Sequence, residues 1–114
     1  MPDCLFCKIA HHKIPSQIVF EADEILAFED ITPQAPVHIL LIPKKHFETV
    51  LDLKAEDSQL IGQLQLVAIK LAKEKGLSEK GFRLVYNCKQ DGGQSVQHVH
   101  LHLLGGRKMT WPPG

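Results

Sequence analysis

Residues 92–106 read GGQSVQHVHLHLLGG and place three of the chain's seven histidines at alternate positions. Alternation of apolar and polar residues predicts a strand, here residues 96–104, because successive side chains of a strand point to opposite faces. His98, His100 and His102 would then lie on one face, with valine and leucine on the other. The segment therefore predicts a strand with a core face and a functional face.

Four more segments are short and rich in β-prone residues, namely 17–21, 25–29, 37–42 and 82–87. Only three residues separate the first two, which predicts a hairpin. Residues 55–75 instead carry apolar side chains at helical spacing and stop at Gly76, and a short helix is expected at 4–10. Consecutive strands with one long helix predict an α+β fold, a five-stranded antiparallel sheet with its helices on one face. Leu66 and Ile69 widen the apolar stripe of the long helix enough for a subunit contact.

The composition limits the classes of function. A chain of 114 residues predicts one domain, 1–114. Lysine and arginine equal aspartate and glutamate at 13 each, which argues against nucleic acid as a partner. The sequence shows no secretory signal pattern and no uninterrupted apolar span, so we expect a soluble, cytoplasmic protein with no membrane association.

The histidine segment suits the chemistry of a small phosphate. Imidazole is a good nucleophile near neutral pH, and a second imidazole can stabilise charge or protonate a leaving group. Residues 92–95 add main-chain amides and a hydroxyl that can approach an anion. Two other interpretations stay open at this level: a half-exposed polar strand that carries histidines by chance, and a tris-histidine metal centre.

Residues 98–104 resemble the His-φ-His-φ-His-φ-φ signature of the histidine triad superfamily, where φ is apolar. Further blocks, in order, are similar to its Hint branch: 28–38, 42–46, 91–95 and 105–114. Nearly the whole chain is covered. The resemblance implies hydrolysis of purine nucleoside 5′-phosphoramidates through a nucleotidyl-histidine intermediate. It also implies a homodimer whose sheets join into one of ten strands, with the tail around Trp111 reaching toward the neighbouring site.

The resemblance also implies a set of site residues. His100 would attack phosphorus, while His102 and His38 would contact the phosphate and leaving-group side. The other catalytic and nucleotide-binding positions lie outside the trio. Asn87 and Ser95 would hydrogen-bond the phosphate or leaving group, Gly93 would give main-chain access, and Asp30 would bind the ribose, with Ile31, Phe6, Ile9 and Ile14 as apolar walls around the purine.

Cys4 and Cys7 form a Cys-x-x-Cys pair, and the resemblance implies that His46 and His98 complete a structural zinc site, as in other branches of the superfamily. No organic cofactor is expected. Two reduced, inert cysteines and a redox pair are the alternatives. For the whole protein, the alternatives are a dinucleoside polyphosphate hydrolase and a nucleotide-binding or scaffold protein with little turnover.

Overall fold

The computed structural model describes residues 3–114, so the first two residues of the predicted domain lie outside the described part. Two helices and five strands follow one another along the chain: α1 (Leu5–Ala10), β1 (Ile18–Glu21), β2 (Ile25–Glu29), β3 (Val37–Pro43), α2 (Ser58–Glu74), β4 (Phe82–Tyr86) and β5 (Leu101–Gly105). Two short 3-10 turns, Val50–Asp52 and Ala55–Asp57, precede α2. The predicted order of elements is confirmed.

The strands form one antiparallel sheet in the order β1-β2-β3-β5-β4. The last strand in the chain therefore lies inside the sheet, between β3 and β4. His102 on β5 pairs with Leu40 on one side and with Val85 on the other. A residue at this position is held by two neighbouring strands, which suits a side chain whose orientation matters.

The two helices lie on opposite faces of the sheet, so the prediction that both cover one face is wrong. Residues 25–28 of β2 and 39–43 of β3 are apolar without interruption and therefore need cover on both sides. One face packs on α2 through Ile25, Ala27, Ile39 and Leu41. The other packs on α1 through Leu26, Phe28, Leu40 and Ile42. The second layer is thin because α1 has only six residues, which leaves room for a cavity beside it.

Strand β5 starts later than predicted. Residues 96–100 are irregular, because the His98 N–H bonds back to the Val96 carbonyl at 2.9 Å and the Val99 N–H bonds to the Phe47 carbonyl at 2.8 Å. Of the three histidines, only His102 belongs to the strand. His98 and His100 nevertheless face the α1 side, since both rings make edge contacts with the Phe6 ring.

Helix α2 begins three residues after the predicted position and ends one residue before it. Its first predicted turn is the 3-10 turn at 55–57, where Asp57 accepts from the Lys54 N–H at 2.9 Å. Gly76 follows with φ +75°, the left-handed conformation that stops a helix at low cost in glycine. No helix within residues 3–114 is long and apolar enough to cross a membrane.

Candidate active site and metal cluster

A cavity of about 260 Å³ opens between α1, the end of β2 and the histidine segment. Its walls contain eight of the residues that the sequence singled out: Phe6, Ile9, Ile14, Asp30, Ile31, Ser95, His100 and His102. Apolar side chains dominate the α1 side, and the titratable groups come from the end of β2 and from the histidine segment. One cavity thus combines an apolar compartment with a polar, reactive wall.

The tautomer of His100 follows from its main-chain contact. Nδ1 of this ring lies 2.7 Å from the carbonyl oxygen of His98. A carbonyl only accepts, so Nδ1 carries the proton and the lone pair is on Nε2. Burial lowers the pKa of His100, against the opposing effects of the His98 carbonyl and the Asp30 carboxylate. The ring is therefore neutral at pH 7 with a nucleophilic Nε2.

His38 and His102 form a directed pair behind the cavity wall. The Gln34 N–H donates to Nδ1 of His38 at 3.0 Å, so the His38 proton is on Nε2. That Nε2 lies 2.9 Å from Nδ1 of His102 and donates to it, which leaves the His102 proton on Nε2. Burial lowers the pKa of both rings, to about 4 for His102, whose neighbours His100 and His38 add to the effect. His102 is thus a neutral donor.

Asp30 stands at the start of the loop that leads into β3. One carboxylate oxygen accepts from the Thr32 N–H at 2.8 Å, and the other lies 3.5 Å from Nε2 of His38. Asp30, His38 and His102 are close enough to suggest a metal site. The Gln34 N–H argues against a metal site, because it donates to the lone pair on Nδ1 of His38. The other ring nitrogen, Nε2, then carries a proton and faces Asp30 and His102. The three groups form a hydrogen-bonded cluster rather than a ligand set.

Three predicted residues lie outside the cavity wall. His38 is buried behind His102. Asn87 donates through Nδ2 to the Gly92 carbonyl at 2.6 Å, and Gly93, with φ +75°, follows in the same loop. Asn87 therefore closes this loop onto itself, and the structure does not bring Asn87 or Gly93 into contact with the cavity.

The Cys4, Cys7, His46 and His98 side chains converge next to the cavity, with their ligand atoms within 4.8 Å of one another. Nδ1 of His98 lies 3.4 Å from Sγ of Cys4 and 3.2 Å from Nδ1 of His46, and Sγ of Cys7 lies 3.3 Å from Nδ1 of His46. A tetrahedral zinc ion with bonds of about 2.3 Å to sulfur and about 2.0 Å to nitrogen separates S from N by about 3.5 Å and N from N by about 3.3 Å. The cluster has these dimensions.

The protonation of His98 suits a metal as well, whereas burial, with the neighbouring Cys4, raises the pKa of Cys7, whose thiol must lose its proton when a metal binds. Nε2 of His98 donates to the Pro43 carbonyl at 2.8 Å, which frees Nδ1 as a ligand. Burial lowers the pKa of His98 to about 4, so this ring is neutral at pH 7. The four side chains could hold a metal ion without rearrangement.

The sequence did not reveal several groups that build the site. Phe28 and Leu40 line the cavity from the sheet, and their signal was the uninterrupted apolar character of β2 and β3. The Gln34 N–H and the carbonyls of His98 and Pro43 set the histidine tautomers, and main-chain groups of this kind leave no sequence signature.

Comparison with known proteins places the chain among close relatives. The family model described as scavenger mRNA decapping enzyme C-terminal binding matches residues 3–111. The chain is 48% identical over 107 residues to the purine nucleoside phosphoramidase of Escherichia coli K12, covering 94% of this chain and 90% of that one. It is 52% identical over 114 residues to a 14 kDa zinc-binding protein of Brassica juncea, covering 98% of this chain and all of that one.

Solved structures agree with this result. A HIT family hydrolase from Legionella pneumophila Philadelphia 1 superposes with a TM-score of 0.97 at 59% identity, over 98% of this chain and 100% of the other. A histidine triad protein from Clostridium difficile gives a TM-score of 0.93 at 46% identity, with 96% of each chain covered. The predicted fold class is confirmed.

Proposed function

The chain belongs to the histidine triad family, and we propose that it hydrolyses the P–N bond of purine nucleoside 5′-phosphoramidates through a nucleotidyl-histidine intermediate. The observation that carries this proposal is the pair of opposite tautomers in one cavity. His100 has a free lone pair on Nε2, and His102 has a proton on Nε2. A nucleophile and an acid are thus both present before the substrate arrives.

The cavity suits a nucleotide in one orientation. The phosphate belongs at the polar wall, near His100, His102 and the Ser95 hydroxyl, which donates to an anion. The ribose hydroxyls would donate to Asp30, since a carboxylate is an acceptor only. The purine would then lie among the apolar side chains of Phe6, Ile9, Ile14 and Ile31.

In the first step Nε2 of His100 bonds to phosphorus and the P–N bond breaks. The departing nitrogen takes the proton of His102 Nε2 and leaves as an amine, a far better leaving group than an amide anion, while the neutral His102 becomes an imidazolate. The new bond makes His100 cationic, and the two ring centroids are 4.9 Å apart. A positive charge at that distance favours loss of the His102 proton.

In the second step water attacks the phosphorus of the nucleotidyl-histidine. The bond to Nε2 of His100 breaks and returns the lone pair to that ring. The proton lost by the water goes to His102, which restores the starting state. The nucleoside monophosphate is released, and His102 has given up one proton and regained it.

Zinc is the metal that the cluster suits, as a structural ion. Two thiolates and two imidazoles form a common zinc set, and with all four ligands from protein no position is open for a water. When bound, the ion would cross-link α1 to the segment that carries His100. The relative from Brassica juncea is named for binding zinc, and the dimensions of the cluster in this chain support the same property.

A homodimer is part of the proposal. Leu66 on α2 is 65% exposed and Trp111 in the tail 83%. Strand β4 is an edge of the sheet and carries the partly exposed Phe82. Exposed large apolar side chains and an open strand edge are features that a second copy of the chain would cover.

The direct test is hydrolysis of adenosine 5′-phosphoramidate by the wild type and by His100→Ala. We expect the variant to lose turnover and to keep most of its affinity for AMP, because the nucleophile contributes little to ground-state binding. Acid quenching of a reaction with labelled substrate should trap the nucleotide on His100. A wild type no faster than the variant would instead indicate a nucleotide-binding protein.

A further inference from the structure

The loop between β2 and β3, residues 30–36, favours one tautomer of His38 from two sides: the Gln34 N–H donates to Nδ1, and the Asp30 carboxylate lies 3.5 Å from Nε2. Most of this loop is exposed: Ile31, for example, is 92% accessible. Ala35 is the buried residue of this loop, while Gln34 itself is exposed. Support from another part of the chain would therefore stabilise the bond from Gln34 to His38.

That support comes from the segment after β5. Nε of Arg107 donates to the Gln34 carbonyl at 3.0 Å. The preceding Gly106 lies so close to the loop that a Cβ on it would be 2.8 Å from Cβ of Pro36. Strand β5, which leads into this segment, carries His102, the ring that accepts from Nε2 of His38. Residues 102–107 therefore include one hydrogen-bond partner of His38 and bind the other, Gln34, through Arg107.

We propose that Arg107 is a positioning residue of the reaction: by donating to the Gln34 carbonyl it holds residue Gln34, so that the Gln34 N–H stays on Nδ1 of His38, His38 keeps its proton on Nε2 and His102 presents its own toward the substrate. The inference rests on the proposed function. Arg107 touches neither the histidines nor the cavity wall. It acts through the loop.

The consequence of losing this bond can be followed atom by atom. If the Gln34 N–H moves away, the proton of His38 can shift to Nδ1, and its Nε2 then becomes an acceptor. For the hydrogen bond between the two rings to persist, His102 must then donate from Nδ1 to Nε2 of His38. Its own Nε2 is left with a lone pair and no proton. His102 can then no longer protonate a departing nitrogen. His100 keeps its nucleophilic Nε2, because the His98 carbonyl still holds its Nδ1.

This reasoning predicts a dependence on the leaving group. Arg107→Ala should lower kcat about tenfold for an AMP alkylamidate, whose nitrogen needs a proton, the loss expected for one hydrogen bond. It should leave KM near the wild-type value. The nitrophenyl ester of AMP, whose leaving group departs as a stable anion, should react at nearly the wild-type rate. Arg107→Lys should recover part of the loss.

Arg83→Ala is the matched control. Arg83 also donates to a main-chain carbonyl near the end of the chain, that of Thr110 at 2.8 Å, but its bond reaches the tail and not the 30–36 loop. Both substrates should react normally with this variant. Equal losses on the two substrates in Arg107→Ala, or the same selective loss in Arg83→Ala, would overturn the proposal.

Nitrogen-15 NMR of the imidazoles gives a second readout that needs no turnover. The wild type should show His38 with its proton on Nε2, and Arg107→Ala should show a mixture of tautomers at an unchanged melting temperature. An unaltered His38 signal would refute the role of Arg107. A wild type that hydrolyses neither substrate would refute the proposed function instead, and the NMR result would still decide whether Arg107 controls the tautomer.

Discussion

His98 connects the metal cluster to His100 through two different groups. Its ring offers Nδ1 to the cluster and donates from Nε2 to the Pro43 carbonyl, while its own carbonyl oxygen accepts from Nδ1 of His100 at 2.7 Å. The residue that would bind the metal is therefore also the residue that fixes the tautomer of the nucleophile. The metal cluster and the cavity share one short piece of main chain, so a change at the cluster should alter the position of His100.

Removing one cysteine of the cluster should abolish metal binding. We expect the wild type to be purified with about one zinc per chain and Cys7→Ser with almost none, because three ligands bind zinc far more weakly than four. The variant should also unfold at a lower temperature. Elemental analysis and calorimetry measure both effects.

Cys88→Ser is the control for this experiment. Cys88 is also a free thiol but lies outside the cluster, so its replacement should change neither zinc content nor melting temperature. A wild type that contains no zinc would contradict the metal proposal and leave the catalytic one untouched.

Phe6 should matter for stability and for nucleotide binding together. Its ring meets the edges of Phe28 and His100 at centroid distances of 5.4 and 5.0 Å, and it lines the cavity. Each such aromatic contact contributes about 0.5–1.5 kcal/mol beyond area burial, so Phe6→Leu should lower the free energy of unfolding by about 1–3 kcal/mol. Urea unfolding gives the free energy, and calorimetric titration with AMP should show weaker binding.

Phe82→Leu controls for the loss of a phenyl ring. Phe82 is 37% exposed on the edge strand β4, far along the sheet from the cavity helix. We expect unchanged AMP affinity in this variant. If Phe6→Leu bound AMP as tightly as the wild type, Phe6 would be a core residue only.

Much of the fold was predictable because the spacing of apolar residues along the chain indicates its strands and its long helix. The alternation in β5 and the helical spacing in α2 each marked an element. The side of the sheet covered by α1 was not predictable, since β2 and β3 are apolar on both faces and a continuous run does not say which helix covers which. The start of β5 was missed because the burial pattern of Val99, Leu101 and Leu103 continues where the hydrogen bonds of the ladder do not.

Eight of the predicted site residues line one cavity and Asn87 and Gly93 do not, whereas the positions of the histidine protons were not predictable at all. Resemblance identified the histidines, and the cavity contains His100 and His102, with His38 behind them. Which nitrogen of each ring carries hydrogen depends on Gln34 and on the His98 carbonyl, and the sequence at those positions does not encode where their main-chain groups point.

The acid sensitivity of the fold should depend in part on His102, together with the buried His98, whose pKa is also lowered to about 4. Burial holds the pKa of His102 at about 4, below the value near 6.5 of an unfolded chain. The unfolded state therefore binds more protons between these two values, so stability should fall as the pH drops from about 6.5 to about 4. His102→Gln should flatten this part of the stability curve, and urea unfolding across the pH range measures the slope. An equally steep curve in His102→Gln would assign the acid sensitivity to other groups.

Leu66 tests the homodimer. Leu66 on α2 and Leu51 in the 3-10 turn at 50–52 are equally accessible, at 65% and 68%, so a glutamate at either position should be harmless in an isolated chain. If the outer face of α2 lies in a two-fold interface, Leu66→Glu puts a charge into both halves of the contact, where desolvation and repulsion act together. We therefore expect sedimentation to show a dimer for the wild type and for Leu51→Glu, and a monomer or a much weaker dimer for Leu66→Glu. A wild type that sediments as a monomer at micromolar concentration would refute the dimer itself. A dimer that tolerates Leu66→Glu would instead place the interface on another surface, and the open edge of β4 would be the next surface to test.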